Sequence, residues 1–298
     1  MLAILGPSGA GKTTLINALT LNAFGGEARG SVKLNGVPMT RKTFTDHSFV
    51  VTQNDSHWPY LTCYETMCYA AELYLGDSSH KEERVDEILK EMGLETCKHT
   101  KVGNELITGL SGGQKRRLSI AIALIKRPKL LFFDEPTSGL DAAAAANIMT
   151  FITELAQKEK LIVVATIHQP STKVYNGFDE LMVLSQGRVA FCGAKDEAIP
   201  YFTSIGKMCP EFSNPAEFYL DLVNSDFIAP EEVRAILDKW EASKDGLAWA
   251  EGKMRKSVAN PLGARPDHAP STVKQNPTLR HPTPPYATLP HPTPPYPT

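Results

Sequence analysis

Short apolar runs alternate along this chain with longer stretches of helical spacing. The runs Leu2–Leu5, Phe49–Thr52, Leu130–Asp134, Leu161–Ile167 and Leu181–Leu184 have the length and apolar density of strands. Helical patterns occupy Lys12–Thr20, Tyr64–Tyr74, Glu82–Met92, Gly112–Ile125 and Ala142–Lys158. Strands that alternate with helices predict an α/β fold, a mainly parallel sheet flanked by helices. From about Trp58 to Ile125 no strand pattern occurs, which predicts a helical insertion over 57–125. The sheet core is then expected from 1–56 together with 126–200. Pro230, followed by two glutamates, predicts one more helix through Trp240.

Composition narrows the class. The chain has 298 residues, 42% apolar and 21% charged, which is globular and long enough for a full core. Thirty-one basic residues against 33 acidic ones leave a net charge of −2. That balance argues against nucleic acid as the partner. The five cysteines form no CxxC pair, so neither a disulfide framework nor a zinc site is expected, and a reducing cytosol fits. No apolar stretch approaches the ~20 residues of a membrane helix, and the N-terminus lacks the basic residues of a signal peptide. The chain itself is therefore expected to be soluble. Twelve of the 22 prolines fall between Pro261 and Pro297, and the last eighteen residues carry a repeated HPTPPY segment. Residues 228–298 read as a linker and a largely disordered proline-rich tail, since prolines donate no backbone hydrogen bonds. Its PxxP-like spacing could alternatively serve an SH3- or WW-type domain.

The candidate chemistry starts at Gly6-Pro-Ser-Gly-Ala-Gly-Lys-Thr13, which matches GxxxxGK[ST] at every fixed position. It lies between a predicted strand and a predicted helix, where a glycine-rich loop can wrap its N–H groups around phosphate. Gly6, Ser8, Gly9, Gly11, Lys12, Thr13 and Thr14 are the phosphate-binding candidates. Lys12 can reach the β- and γ-phosphates of ATP, and the Thr13 hydroxyl suits Mg²⁺. Later, Leu130-Leu-Phe-Phe-Asp134-Glu135 describes a buried strand with two carboxylates at its C-terminal end. Asp134 suits Mg²⁺ through water, and Glu135 suits polarisation of an attacking water. Between them lies Leu110-Ser-Gly-Gly-Gln114, where Ser111 can cap a helix whose first N–H groups are open to an anion.

The phosphate loop, Gln53, LSGGQ, LLFFDEP, Ser138-Gly-Leu-Asp141 and His168 stand in the order of an ATP-binding-cassette ATPase, which this chain resembles. The resemblance implies a RecA-like P-loop NTPase core with a helical signature subdomain. It implies that Ser111, Gly112, Gly113 and Gln114 meet the nucleotide of a second cassette, docked head to tail. By the same resemblance Asp141 is the D-loop aspartate and His168 the switch histidine. Gln53 is the Q-loop glutamine, counted with both the catalytic and the Mg²⁺-binding residues. Val102-Gly-Asn-Glu-Leu-Ile, Thr166-Ile-His-Gln-Pro-Ser171, Pro200-Tyr-Phe, Cys209-Pro and Asn214-Pro-Ala-Glu-Phe-Tyr-Leu-Asp-Leu-Val-Asn224 look like the G subfamily, white/pleiotropic-drug-resistance type. The likeness covers about 1–227, with 201–227 as a family-specific segment.

The chain also departs from that family. Such cassettes carry strands and an adenine-stacking aromatic ahead of the phosphate loop, whereas only five residues precede Gly6. They continue into membrane helices, whereas this sequence continues into the proline-rich tail, so a truncated product or an incomplete gene model is expected. The leading expectation is the ATPase engine of an exporter, at the cytoplasmic face of a membrane through a transmembrane partner. The alternatives are a soluble ATP-binding-cassette ATPase and a nucleotide-binding fragment with little turnover.

Overall fold

The structure is a computed structural model that describes residues 1–22, 30–76, 79–243 and 245–246. Strand β1 (Leu2–Leu5) turns through glycines into helix α1 (Lys12–Leu19). A small hairpin, β2 (Lys33–Leu34) and β3 (Val37–Pro38), precedes α2 (Arg41–His47) and β4 (Ser48–Val51). Helices α3 (Cys63–Leu75), α4 (Lys81–Glu91) and α5 (Gly112–Ile125) come next. The chain continues through β5 (Leu130–Asp134), α6 (Ala142–Glu159), β6 (Ile162–Ile167), α7 (Thr172–Asn176), β7 (Glu180–Ser185) and β8 (Arg188–Ala194). Helices α8 (Lys195–Ser204), α9 (Pro215–Val223) and α10 (Pro230–Ala242) complete the described elements.

Six strands form one sheet in the order β4-β5-β6-β1-β7-β8. All neighbours are parallel except β7 and β8. β1 is interior, pairing Leu5 with Ile167 on one side and Val183 on the other. Every residue of β5 is buried, as a central strand covered on both faces requires. The helices start where their sequences can satisfy the free N–H groups. Thr62 with Glu65 and Ser111 with Gln114 close capping boxes on α3 and α5. Asp141 accepts from Ala143 N and Ala144 N at the start of α6.

The strands and helices predicted before residue 186 lie within one or two residues of the observed ones. The β2–β3 hairpin, α2 and α7 have no counterpart in the sequence reading, being too short to establish a period. β8 also has none. It is reached through Gln186-Gly187, both at positive φ (53° and 74°), the turn geometry that folds a strand back antiparallel. The helix expected from Pro230 through Trp240 is α10, and its buried Val233, Ile236, Leu237 and Trp240 face a core that includes β8. The proline-rich tail lies outside the described residues. All five cysteines are free thiols, and burial pushes those of Cys63 and Cys192 up to about 12.

Around β8 the core is aromatic. Trp240, 2% exposed, packs 5.3 Å from Phe191 and edge-on, 5.2 Å, to Tyr201 between ring centroids. Arg188 at the strand's start forms ion pairs with Asp238 and Glu241 of α10. The Trp240 indole N–H and the Tyr201 hydroxyl have no partner, so van der Waals contact holds the cluster. Trp240→Ala is expected to cost about 3–5 kcal/mol in urea unfolding. Tyr201→Phe, which removes an unpaired buried hydroxyl, is expected to leave stability unchanged or raise it.

Candidate functional site

Parallel pairing brings the chemical motifs to one edge of the sheet. Val51 of β4 pairs with Phe133 of β5, Asp134 with Thr166 of β6, and Ile167 with Leu5 of β1. Gln53, Asp134–Glu135, His168 and the Gly6 loop therefore leave the sheet side by side, at the C-terminal strand ends where such folds bind ligands.

The glycines in the loop answer two different constraints. Gly9 and Gly11 have φ of 76° and 98°, where a side chain is strained. Gly6 is needed for space, because a Cβ there would fall 2.5 Å from the Leu184 carbonyl oxygen of β7. The β7–β8 turn braces the loop further, with Gly187 N donating to Ala10 O at 3.0 Å. Ser8, Gly9, Thr13 and Thr14 are exposed along the loop and first helical turn.

Lys12 is 7% exposed, and its Nζ donates to Gly6 O (2.9 Å) and Pro7 O (3.1 Å), 4.0 Å from Glu135 Oε1. Burial lowers its pKa, and the Glu135 and Asp134 carboxylates oppose that shift. The Asp134 Oδ1 atom accepts from Thr13 Oγ1 at 3.3 Å and from Thr166 Oγ1 at 2.7 Å. Gln53 Nε2 donates to Glu135 Oε2 at 2.9 Å and to Ser138 Oγ at 3.2 Å. His168 is exposed directly after β6.

The signature residues lie elsewhere. Ser111, Gly112, Gly113 and Asp141 line a separate cavity of about 650 Å³, shared with Arg117 and Phe151 between α5 and α6. Among the described residues no hydrogen bond or ion pair joins Ser111–Gln114 to the phosphate loop. The Gln114 side chain accepts from Ser111 N, closing the cap, while the N–H groups of Gly112 and Gly113 begin the helix without intrahelical acceptors.

Two residues that matter here are absent from the sequence-based candidates. Thr166, fully buried, donates its hydroxyl to Asp134 and accepts from Glu135 N at 2.8 Å. Its signal was a polar residue inside an otherwise apolar strand. Arg116, 3% exposed, donates to the carbonyls of Thr52, Asp134, Glu135 and Pro136 and to the Asp55 carboxylate. It sits between Lys115 and Arg117 in a basic run that reads as solvated, yet it shares a helical face with buried Ile120 and Leu124. Thr166→Val would leave the Glu135 N–H and an Asp134 lone pair without their partner. The variant is expected to lose about 1–3 kcal/mol in thermal or urea unfolding.

Comparison with known proteins identifies the family. The ABC transporter family profile matches residues 1–138, and an ABC-2 type transporter profile matches 168–239, beyond residue 227 and through most of α10. ATP-binding cassette sub-family G member 8 of Homo sapiens is 35% identical over 243 residues, 80% of this chain and 36% of that protein. ABC transporter G family member 25 of Arabidopsis thaliana is 41% identical over 227 residues, 75% of this chain and 34% of that one. An uncharacterized ABC transporter ATP-binding protein/permease of Saccharomyces cerevisiae is 36% identical over 82% of this chain and 20% of its own length. The chain thus spans a fifth to about a third of these relatives. Among solved structures, cbiO1 from Clostridium perfringens, part of the ABC transporter complex cbiONQ, superposes with a TM-score of 0.55 at 25% identity, covering 68% of this chain and 82% of that one. The mostly parallel, helix-flanked sheet is a P-loop NTPase fold, and the chain belongs to the ATP-binding-cassette family, on its G-subfamily branch.

Proposed function

We propose that this chain binds ATP on the Gly6–Thr14 loop and hydrolyses it as the cassette of a membrane exporter. The observation that carries the reading is the meeting of Lys12, Asp134, Glu135 and Gln53 within hydrogen-bonding or ion-pair distance beside the phosphate loop. Within it, 1–56 and 126–200 act as the ATP-binding core, 57–125 as the signature subdomain and 201–227 as a family-specific segment.

Loop N–H groups and the Lys12 ammonium neutralise the phosphate oxygens, a charge-assisted contact that strengthens as the γ-phosphoryl group separates. Lys12 already faces backbone carbonyls and a carboxylate, so it exchanges those partners for phosphate. Glu135 accepts a hydrogen bond from a water in line with the γ-phosphorus. The water oxygen bonds to phosphorus as the bond to the β–γ bridging oxygen breaks, leaving ADP and phosphate. The water proton passes to Glu135 or to a phosphate oxygen. Gln53, already bonded to Glu135, helps to fix that carboxylate, and His168 contacts the γ-phosphate.

The site offers Mg²⁺ a suitable donor set, a hydroxyl and a carboxylate 3.3 Å apart. Thr13 and Asp134, with Gln53, would hold the ion, which would neutralise phosphate charge.

Ser111–Gly113 and Asp141 line their own cavity, away from Lys12, which supports a head-to-tail dimer in which each signature faces the partner's nucleotide. The ABC-2 type transporter match and the G-family relatives support a transmembrane partner and a place at the cytoplasmic face of a membrane. Among the described residues no helix is long and apolar enough to cross a membrane.

Glu135→Gln tests the chemistry. Turnover is expected to fall by about 10²–10⁴-fold with ATP affinity retained, and an ATP-dependent dimer should accumulate on size exclusion. Wild-type hydrolysis in that variant would remove Glu135 from its role. Assembly has its own test in the dependence of specific activity on protein concentration. Activity per molecule is expected to rise as the dimer forms, whereas a flat profile across the dimerisation range would defeat the two-cassette arrangement.

A further inference from the structure

One guanidinium connects the two loops that hold the candidate catalytic groups. Arg116 Nη1 donates to Thr52 O at 2.6 Å and to Asp55 Oδ1 at 3.1 Å, both on the segment carrying Gln53. Its Nη2 donates to Asp134 O (3.3 Å) and Glu135 O (3.2 Å), and its Nε to Pro136 O (3.1 Å). A buried charge with one carboxylate partner is costly unless its remaining N–H groups are satisfied, and here backbone carbonyls satisfy them. The planar fork with donors on three nitrogens spans both loops, which an ammonium on a single stem cannot do.

The peptide that Arg116 grips is itself under constraint. Glu135 has φ of 47°, a conformation uncommon for a residue with a side chain. Its N–H is held by Thr166 Oγ1 and its C=O by Arg116, so the carboxylate leaves the strand in one direction and meets Gln53 Nε2 at 2.9 Å. Arg116 also lies three and four residues after Gly113 and Gly112, about one helical turn along the same face of α5. Ser119, a further turn on, donates to Asp55 and pairs with His57 Nε2 at 2.9 Å, tying the same loop to the same helix again.

We propose that Arg116 is the positioning residue that sets Glu135 against Gln53 and links their spacing to the helix that begins with Ser111–Gly113. Displacement of α5 at its signature end is carried by Arg116 to the carbonyls of both catalytic loops. The proposal rests on the ATPase reading above and adds a residue through which signature contact reaches the water-positioning carboxylate.

The test uses the full 298-residue chain, with ATP turnover measured beside titration of a fluorescent ATP analogue. Arg116→Lys keeps the charge and loses the fork. It is expected to lower kcat by about 10–100-fold while KM and analogue affinity stay within about threefold. In a Gln53→Ala background the same change should cost less than about threefold, because the spacing it maintains is already lost. Equal losses in both backgrounds, or a fall in affinity matching the fall in kcat, would mean a general structural role and overturn the proposal. Should Arg116→Lys fail to fold, Asp55→Asn decides. It leaves Arg116 in place, loosens its anchor, and is expected to lower kcat by about 3–10-fold at unchanged analogue affinity; wild-type kcat there overturns the proposal. A wild-type chain that never hydrolyses ATP at any concentration defeats the ATPase reading and this inference with it. An active wild type with kcat unaffected by these substitutions defeats this inference alone.

Discussion

Parallel pairing of β1, β5 and β6 is the constraint on which the rest of the structure depends. Their registers place Leu5, Ile167 and Asp134 at one rim, so three segments far apart in sequence must turn there together. β4 adds a fourth, since Val51 lies beside Phe133. A one-residue slip in any of these pairings would exchange the two faces of a strand and carry its terminal side chains away from the others. The apolar density of β5 and β6 guards against that slip, because both faces of these strands are covered and their β-branched and aromatic residues are sunk in the core.

Polar groups at that rim are arranged in layers. Exposed Thr13 and Thr14 lie along the loop, Lys12 and Asp134 are buried beneath them, and Thr166 and Arg116 support the carboxylate strand from within. Each buried group has its partners, and each partner is also part of the site or adjoins it. The same hydrogen bonds that remove the cost of burial therefore hold the side chains in place. That coupling explains why the positive φ of Glu135 is tolerated. The strain of one residue is offset by two hydrogen bonds anchored on neighbouring elements, one to β6 and one to α5.

The chain's last helices show how the core extends past the sheet. β8 is an edge strand, and α10 lies against it with Trp240 inserted among aromatic rings and Arg188 fastened to its acidic face. An edge covered in this way presents little free backbone to other chains. The hairpin turn that makes this edge also touches the Gly6–Thr13 loop through Gly187 and Ala10, so the covered edge and the rim that carries the candidate site share one support.

The sequence by itself determined the alternation of strands and helices, the phosphate loop, the paired carboxylates and the capped helix after Leu110. Each of these is a local pattern, in which the spacing of apolar residues or the type of residue at a turn carries the physics. Gln53 and His168 were legible only through their order among the other motifs, since neither carries a local signal. β8 was missed because its partner is specified by a two-residue turn, whereas the helix α10 was legible in Pro230 and its acidic first turn; only its packing was not, because that depends on aromatic residues from β8 and α8. Only the tertiary structure decided that Ser111–Gly113 lie apart from Lys12, that Gly6 serves close approach to β7, and that Thr166 and Arg116 brace Glu135. Those facts depend on which backbone carbonyls come within reach of a given donor, and such distances follow from strand order and register, which one-dimensional spacing does not encode.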